Sequence, residues 1–156
     1  MTERALPAPD LAAARAVIDL AASVVDTAVR TMATTGGPDV QQVLAYDLSH
    51  SAAQVATARA LLDYGARGDA EAGITCAFTA DMAHDVYTRL AGREAAWGAE
   101  VGAMGGALAF IATYRAPEFV ASLANTPGPR HLDSDMEMVA DTFRSFGEKV
   151  IKTYAE

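Results

Sequence analysis

Lysine is almost missing from this chain: Lys149 and Lys152 are the only two, both close to the carboxyl end. Acidic residues outnumber basic ones by 20 to 12, which gives a formal charge of −8 and a pI near 4.7. A molecule of that sign repels a phosphate backbone, so nucleic acid is disfavoured as a partner. Cysteine occurs once, at Cys76. An intrachain disulfide is therefore excluded, and nothing in the sequence demands an oxidising compartment. Long apolar runs are lacking as well. The longest stretch without charge, Val101 to Tyr114, falls short of the roughly 20 residues that span a bilayer. Met1 to Pro9 has no apolar centre of the kind a secretory signal requires. These absences point to a cytoplasmic chain with no membrane partner.

Alanine is what the chain has most of, 35 of 156 residues. It loses no side-chain entropy in a helix, so the composition favours helix and excludes an all-β fold. The expected architecture is all-α: an antiparallel bundle of four to five helices over residues 1–124, a Pro/Gly linker at 125–133, and a separate helix at 134–156, apparently the truncated start of a further domain. Asp10 is placed to cap a first helix to about Ala33, whose stripe runs Leu11, Ala14, Val17, Ile18, Ala21, Val24, Val25 and Ala28. Pro38 suits the first turn of a second helix that ends near Gly65, with Val40, Val43, Leu44, Leu48, Val55, Leu61 and Leu62 on its buried face. After the short link 66–68, a third helix capped by Asp69 carries Ile74, Phe78, Met82, Val86 and Leu90 and continues to about Trp97. So brief a connection makes helices two and three antiparallel neighbours. A fourth helix follows the loosening glycines Gly98, Gly102, Gly105 and Gly106, passes through Leu108, Phe110, Ile111 and Tyr114, and is interrupted at Pro117; a short piece with Phe119, Val120 and Leu123 comes next. Ser134 and Glu137 form a capping-box pattern ahead of Val139, Phe143, Phe146, Val150 and Tyr154.

One polar constellation stands out. Asp47 with His50, and Asp81 with His84, each set a carboxylate and an imidazole three residues apart on one helical face. A turn around residues 66 and 67 would put position 50 opposite about 83, bringing both pairs to one level. The same pairing of carboxylate-x-x-histidine motifs is similar to the di-iron helix bundles, in which two more helices each add a glutamate. Here the first helix offers only Asp19 and Asp26, the fourth offers no carboxylate between Val101 and Ala116, and aspartate is shorter than glutamate. Asp47, His50, Asp81 and His84 are thus candidate metal ligands. The competing readings are a hydrogen-bonded cluster, including Asp85, that fixes helix register, and general acid/base chemistry.

The remaining signals read as structure. Gly102, Gly105 and Gly106 have no following lysine and no preceding strand, unlike a phosphate loop. Trp97, Tyr64 and Tyr114 lack the basic groove of a stacking platform. Arg89, Arg93 and Glu94 read as a solvated face with helical ion pairs. Cys76 falls within a helical pattern, where a small buried thiol is expected.

A resemblance adds to this reading. Leu44 to Gly65 (LAYDLSHSAAQVATARALLDYG), then Gly68 to Ala72 (GDAEA) and the helix to Trp97, resembles the helical hairpin that precedes the flavin domains in a group of bacterial acyl-CoA dehydrogenases. His131 to Glu156 (HLDSDMEMVADTFRSFGEKVIKTYAE) resembles the first helix of the dehydrogenase fold itself. The resemblance covers most of the chain from about residue 38, and its motifs are helical patterns. It implies FAD-dependent α,β-dehydrogenation of acyl-CoA thioesters by a full-length relative, in which a glutamate removes the α-proton. The β-domain and the flavin-contacting Gln-x-x-Gly-Gly segment have no counterpart here, and neither Glu94 nor Glu100 matches the catalytic glutamate. The implied role is therefore packing against flavin domains or a homo-oligomer partner, with no catalytic or cofactor-binding residue in this chain. FAD is implied only for the relative. A stand-alone homodimerisation module and a metal-binding bundle are the alternatives.

Overall fold

The computed structural model describes residues 6–124 and 128–154, and every regular element among them is helical. The long first helix, α1 (Leu11–Thr34), starts where Asp10 Oδ1 accepts the amide hydrogen of Ala13 at 2.9 Å. Its apolar stripe is buried from Ala14 to Ala28. Ala14, Ala21 and Ala28 recur every seven residues with no exposed surface, so small side chains let neighbouring helices approach closely along the whole contact.

A single helical turn, α2 (Gly37–Val40), precedes α3 (Gln42–Gly65). The sequence suggests one uninterrupted helix from Pro38, and the structure breaks it at Gln41 (φ −117°, ψ 51°). The Gln41 amide turns back to donate to the Thr35 carbonyl at 2.9 Å and to the Thr35 hydroxyl. Val40 and Val43, on either side of the break, are exposed, against the expected burial. After the link comes α4 (Asp69–Leu90), with Gly68 at its cap position and Asp69 already inside the helix. It packs antiparallel to α3, and α1 packs against both. Its buried face runs through Thr75, Cys76, Thr79, Ala80, Met82, Ala83, Val86 and Leu90, which leaves Ile74 exposed. Burial pushes the Cys76 thiol above its usual pKa.

The third helix was expected to run on to Trp97. Gly92 stops it, at a φ of +80° that side chains with a Cβ rarely adopt. Trp97 instead ends the short α5 (Glu94–Trp97) and is completely buried. The glycine-rich stretch Val101–Ala107 forms a 3₁₀ helix that lays Met104 and Ala107 on α1 and α4. It leads into α6 (Leu108–Tyr114) and, across Pro117, α7 (Pro117–Ala124). Phe110, Tyr114 and Phe119 stack in series, with centroid separations of 4.5 and 5.0 Å. The Tyr114 hydroxyl donates to the Ala8 carbonyl at 2.8 Å, which ties the amino-terminal segment to the bundle.

Part of the expected linker, residues 125–127, lies outside the described residues, as do residues 155 and 156. Residues 128–133 are non-helical, and α8 (Ser134–Phe146) begins beyond them. Its cap is Asp133, whose Oδ1 accepts from the Met136 amide at 2.8 Å. Ser134 and Glu137 therefore do not form the expected capping box, because the cap sits one residue earlier. A wide π turn, Gly147–Ile151, joins α8 to α9 (Lys152–Tyr154). No residue of α8, the π turn or α9 is buried. Among the described residues no helix is long and apolar enough to cross a membrane.

The burial of Trp97 gives the first expected outcome. Trp97→Ala empties the largest fully buried side chain and should destabilise the bundle by about 3–5 kcal/mol, read as a lowered guanidinium midpoint.

Candidate functional site

The four residues of the polar constellation go to different partners. Asp47, on α3, is clasped by two arginines. Arg89 Nη1, near the end of α4, donates to Oδ1 at 2.5 Å, and Arg93, just before α5, donates to Oδ2. The Asp47 side chain is only 15% exposed. Asp81 faces outward on α4 and pairs with Arg115 at 2.6 Å, beyond the end of α6. The His50 ring rests on Tyr46, its own helical neighbour, at a centroid separation of 4.4 Å. His84 is half-buried. Among the described residues no three His, Cys, Asp or Glu side chains are grouped to hold a metal ion.

Helix register explains the dispersal. Cross-ties between α3 and α4 run from Asp47 to Arg89, from Gln54 to Asp85 at 2.8 Å, and from the Leu61 carbonyl to the Thr75 hydroxyl at 2.9 Å. Position 50 lies between the first two ties, level with the stretch from 85 to 89 rather than with 83. At this register Arg89 reaches Asp47 instead of a solvated face, and the break at Gly92 brings Arg93 to the same carboxylate. A two-arginine clasp of one carboxylate holds α3, the end of α4 and the approach to α5 together, since charge-assisted hydrogen bonds are about twice as strong as neutral ones.

A second ionic knot joins residues 60 positions apart. Glu71, in the first turn of α4, is 1% exposed, and its Oε1 lies 2.6 Å from His131 Nε2. An ionised carboxylate can only accept, so His131 Nε2 carries the hydrogen. That hydrogen bond is the main reason the Glu71 pKa falls below its usual 4.5; its own backbone amide and the charges of His131 and Arg67 add to the effect, and burial opposes it. Two glycines make room for the carboxylate. A Cβ on Gly68 would come within 2.6 Å of Glu71 Oε2, and one on Gly128 would collide with Oε1. His131 itself has a φ of +53°, rare for a residue with a side chain, and its ring meets Tyr64 edge-on at 6.0 Å. The preceding residue, Arg130, reaches the other way to Glu137 and Asp141 on α8. Neighbouring side chains thus fasten the bundle on one side and the terminal helix on the other.

Two open grooves flank the bundle. One, of about 500 Å³, lies between α1 and α6 and is lined by Ala13, Val17, Ala109 and Phe110, with Asp10 at its edge. The other, of about 640 Å³, is lined by Leu6, Ala112, Ala116 and Phe119, with Glu118 as its one ionisable side chain. Neither is lined by a residue of the ionic knots.

The sign of the Glu71 effect follows from its lowered value. A carboxyl whose folded pKa lies below its unfolded one stabilises the fold fully above about pH 4.5 and loses that contribution as pH falls through the folded value. The wild-type urea midpoint should therefore drop between pH 5 and pH 3 more steeply than that of Glu71→Gln, which should start lower at pH 7. Asp47→Ala leaves two arginines without their acceptor and should cost about 1–3 kcal/mol. Melting curves with and without EDTA should coincide for both wild type and variant; a chelator-induced loss confined to wild type would point to a metal instead.

No family model, curated protein or solved structure matches the chain.

Proposed function

We propose that this chain is a packing module: the N-terminal helical portion of an acyl-CoA dehydrogenase-like protein, which docks through the apolar face of its terminal helix. The observation that carries this reading is the exposure of Met136, Val139, Phe143 and Phe146 on α8, with Phe143 71% exposed. Large apolar side chains aligned on one helical face mark an interaction surface. The fastening at Arg130 and His131 supports it further, because a helix held at its start presents that face in one direction. The resemblance of 44–97 and 131–156 to the dehydrogenase hairpin and first helix supplies the family.

The residues present do not fit FAD. Asp10 and Glu118 are the side chains of the two grooves that carry charge at neutral pH, and both carboxylates would repel a dinucleotide pyrophosphate. Asp47, Glu71 and their cationic partners are held in structural knots. Dehydrogenation belongs, in this reading, to the flavin domains of the full-length relative.

Incubation of the purified chain with FAD and then with an acyl-CoA thioester tests the reading. The expected result is no flavin absorbance after desalting and no bleaching with substrate. Retained flavin that an acyl-CoA reduces would overturn it. Phe143→Glu combined with Phe146→Glu should leave the melting of the bundle unchanged, as both side chains lie outside its core.

A further inference from the structure

Residues 128–154 are held to the bundle at one polar point. Among the described residues, the contact from His131 Nε2 to Glu71 Oε1 is the one hydrogen bond or ion pair that joins them to residues 6–124. The Tyr64 ring on His131 and the close approach of Gly128 to Ala70 belong to the same spot. Arg130 pairs with Glu137 and Asp141, inside the segment itself, and no residue from Ser134 to Tyr154 is buried. The core of the bundle is complete without them, since every buried apolar side chain lies between Ala14 and Phe119. Two units that share so little contact open separately, the less buried one first.

We infer that the Glu71–His131 contact is an acid-operated latch: protonation of Glu71 frees residues 128–154 as one arm while α1 to α7 stay folded. The inference concerns the chain itself and holds whatever the apolar face of α8 docks against. As an anion, Glu71 accepts the imidazole hydrogen with the strength that charge lends a hydrogen bond. Once protonated it is a neutral acceptor, and that assistance is gone. Two terms then favour release. The arm recovers conformational freedom, and His131 leaves the left-handed backbone geometry, at a φ of +53°, that the docked position imposes.

The groups around Glu71 set the direction of the response. His131 faces it from the terminal segment and Arg67 from the link before α4; both cations favour the carboxylate. Tyr64 of α3 meets the imidazole edge-on, and Asp69 shares the first turn of α4. A carboxyl whose pKa is lowered in the latched state favours that state above about pH 4.5 and ceases to do so as pH falls through the lowered value. Raising the pH acts only on the partner. A neutral imidazole still carries one ring hydrogen, which Glu71 draws to Nε2, so His131 goes on donating. The latch therefore opens on the acid side alone.

The experiment is backbone nitrogen relaxation by NMR on the full chain from pH 7 to pH 3, with the indole resonance of buried Trp97 as the monitor of the bundle. At pH 7 the heteronuclear NOE of α8 should match that of α1 and α4. Below about pH 4.5 it should fall for α8 while α1, α4 and the Trp97 signal are unchanged. Trypsin reads the same opening near neutrality through cleavage after Arg130. Glu71→Gln, the neutral isostere, should be cut there about tenfold faster than wild type at pH 7, the loss expected of a charged hydrogen bond, and should show no further acid transition. His131→Gly removes the imidazole and accepts the positive φ; it should be cut equally fast, which keeps the test sound if the glutamine variant fails to fold. Wild-type cleavage, corrected for trypsin's own pH profile, should be no faster at pH 9 than at pH 7. An α8 already mobile at pH 7 overturns the latch. So does one that stays ordered to pH 3, or that loosens only as the Trp97 signal collapses, and so do folded variants cut no faster than wild type.

Discussion

The arrangement beyond the bundle depends on one buried carboxylate. Glu71 is removed from water in the first turn of α4, and a buried anion is tolerable only when it is paired and hydrogen-bonded. Its partner comes from 60 residues away, so satisfying the charge requires residues 128–131 to run across the start of α4 with a glycine at the point of contact. The positive φ at His131 belongs to the same constraint: a backbone geometry that costs of order 1–3 kcal/mol persists where its surroundings over-determine it. Arg130 then commits the next segment to α8. The direction in which the terminal helix leaves the bundle thus follows from solvation of a single side chain, carried through two adjacent residues.

Inside the bundle a different economy operates. Alanines on α1 and α4 bring the helices close, and the large residues are few and concentrated: Trp97, Met82, Leu90 and Met104 close the space that the small ones leave. The two grooves lie at the edges of this layer, one between α1 and α6 and the other where α6 and α7 meet the amino-terminal segment. Polar groups in this layer act as ties between helices. The Thr75 hydroxyl, the Gln54 amide and the Arg89 guanidinium each bridge α3 and α4 at a different level.

Much of the fold was legible in residue spacing. The α1 stripe, the Asp10 cap, the buried thiol and the separate terminal helix follow from helical periodicity and local hydrogen-bonding chemistry. The interruptions at Gln41 and Gly92 were not, because each depends on a loop conformation: one on a side chain folding back to Thr35, the other on a left-handed residue that a helix-tolerant sequence hides. Interhelical register was beyond the sequence for a related reason. A shift of about one turn in the hairpin leaves the hydrophobic pattern of each helix intact while changing every cross-chain partner, so the Asp-x-x-His spacing was visible and the arginine clasp was not. The Glu71 knot gave a still weaker signal. Its one cue was a third histidine just past a proline-glycine-proline run, with Arg130 between them, and nothing local says which carboxylate 60 residues earlier it meets.

The enclosure of Cys76 on α4 has a practical side. Its thiol is fully shielded and its pKa is raised by burial, so the nucleophilic thiolate is scarce at neutral pH and reagents cannot reach it in the folded state. The protein is in effect a thiol-silent background: a cysteine introduced on the outward helix would be the sole attachment point for a fluorophore or spin label, with the native sulfur answering only once the bundle has come apart.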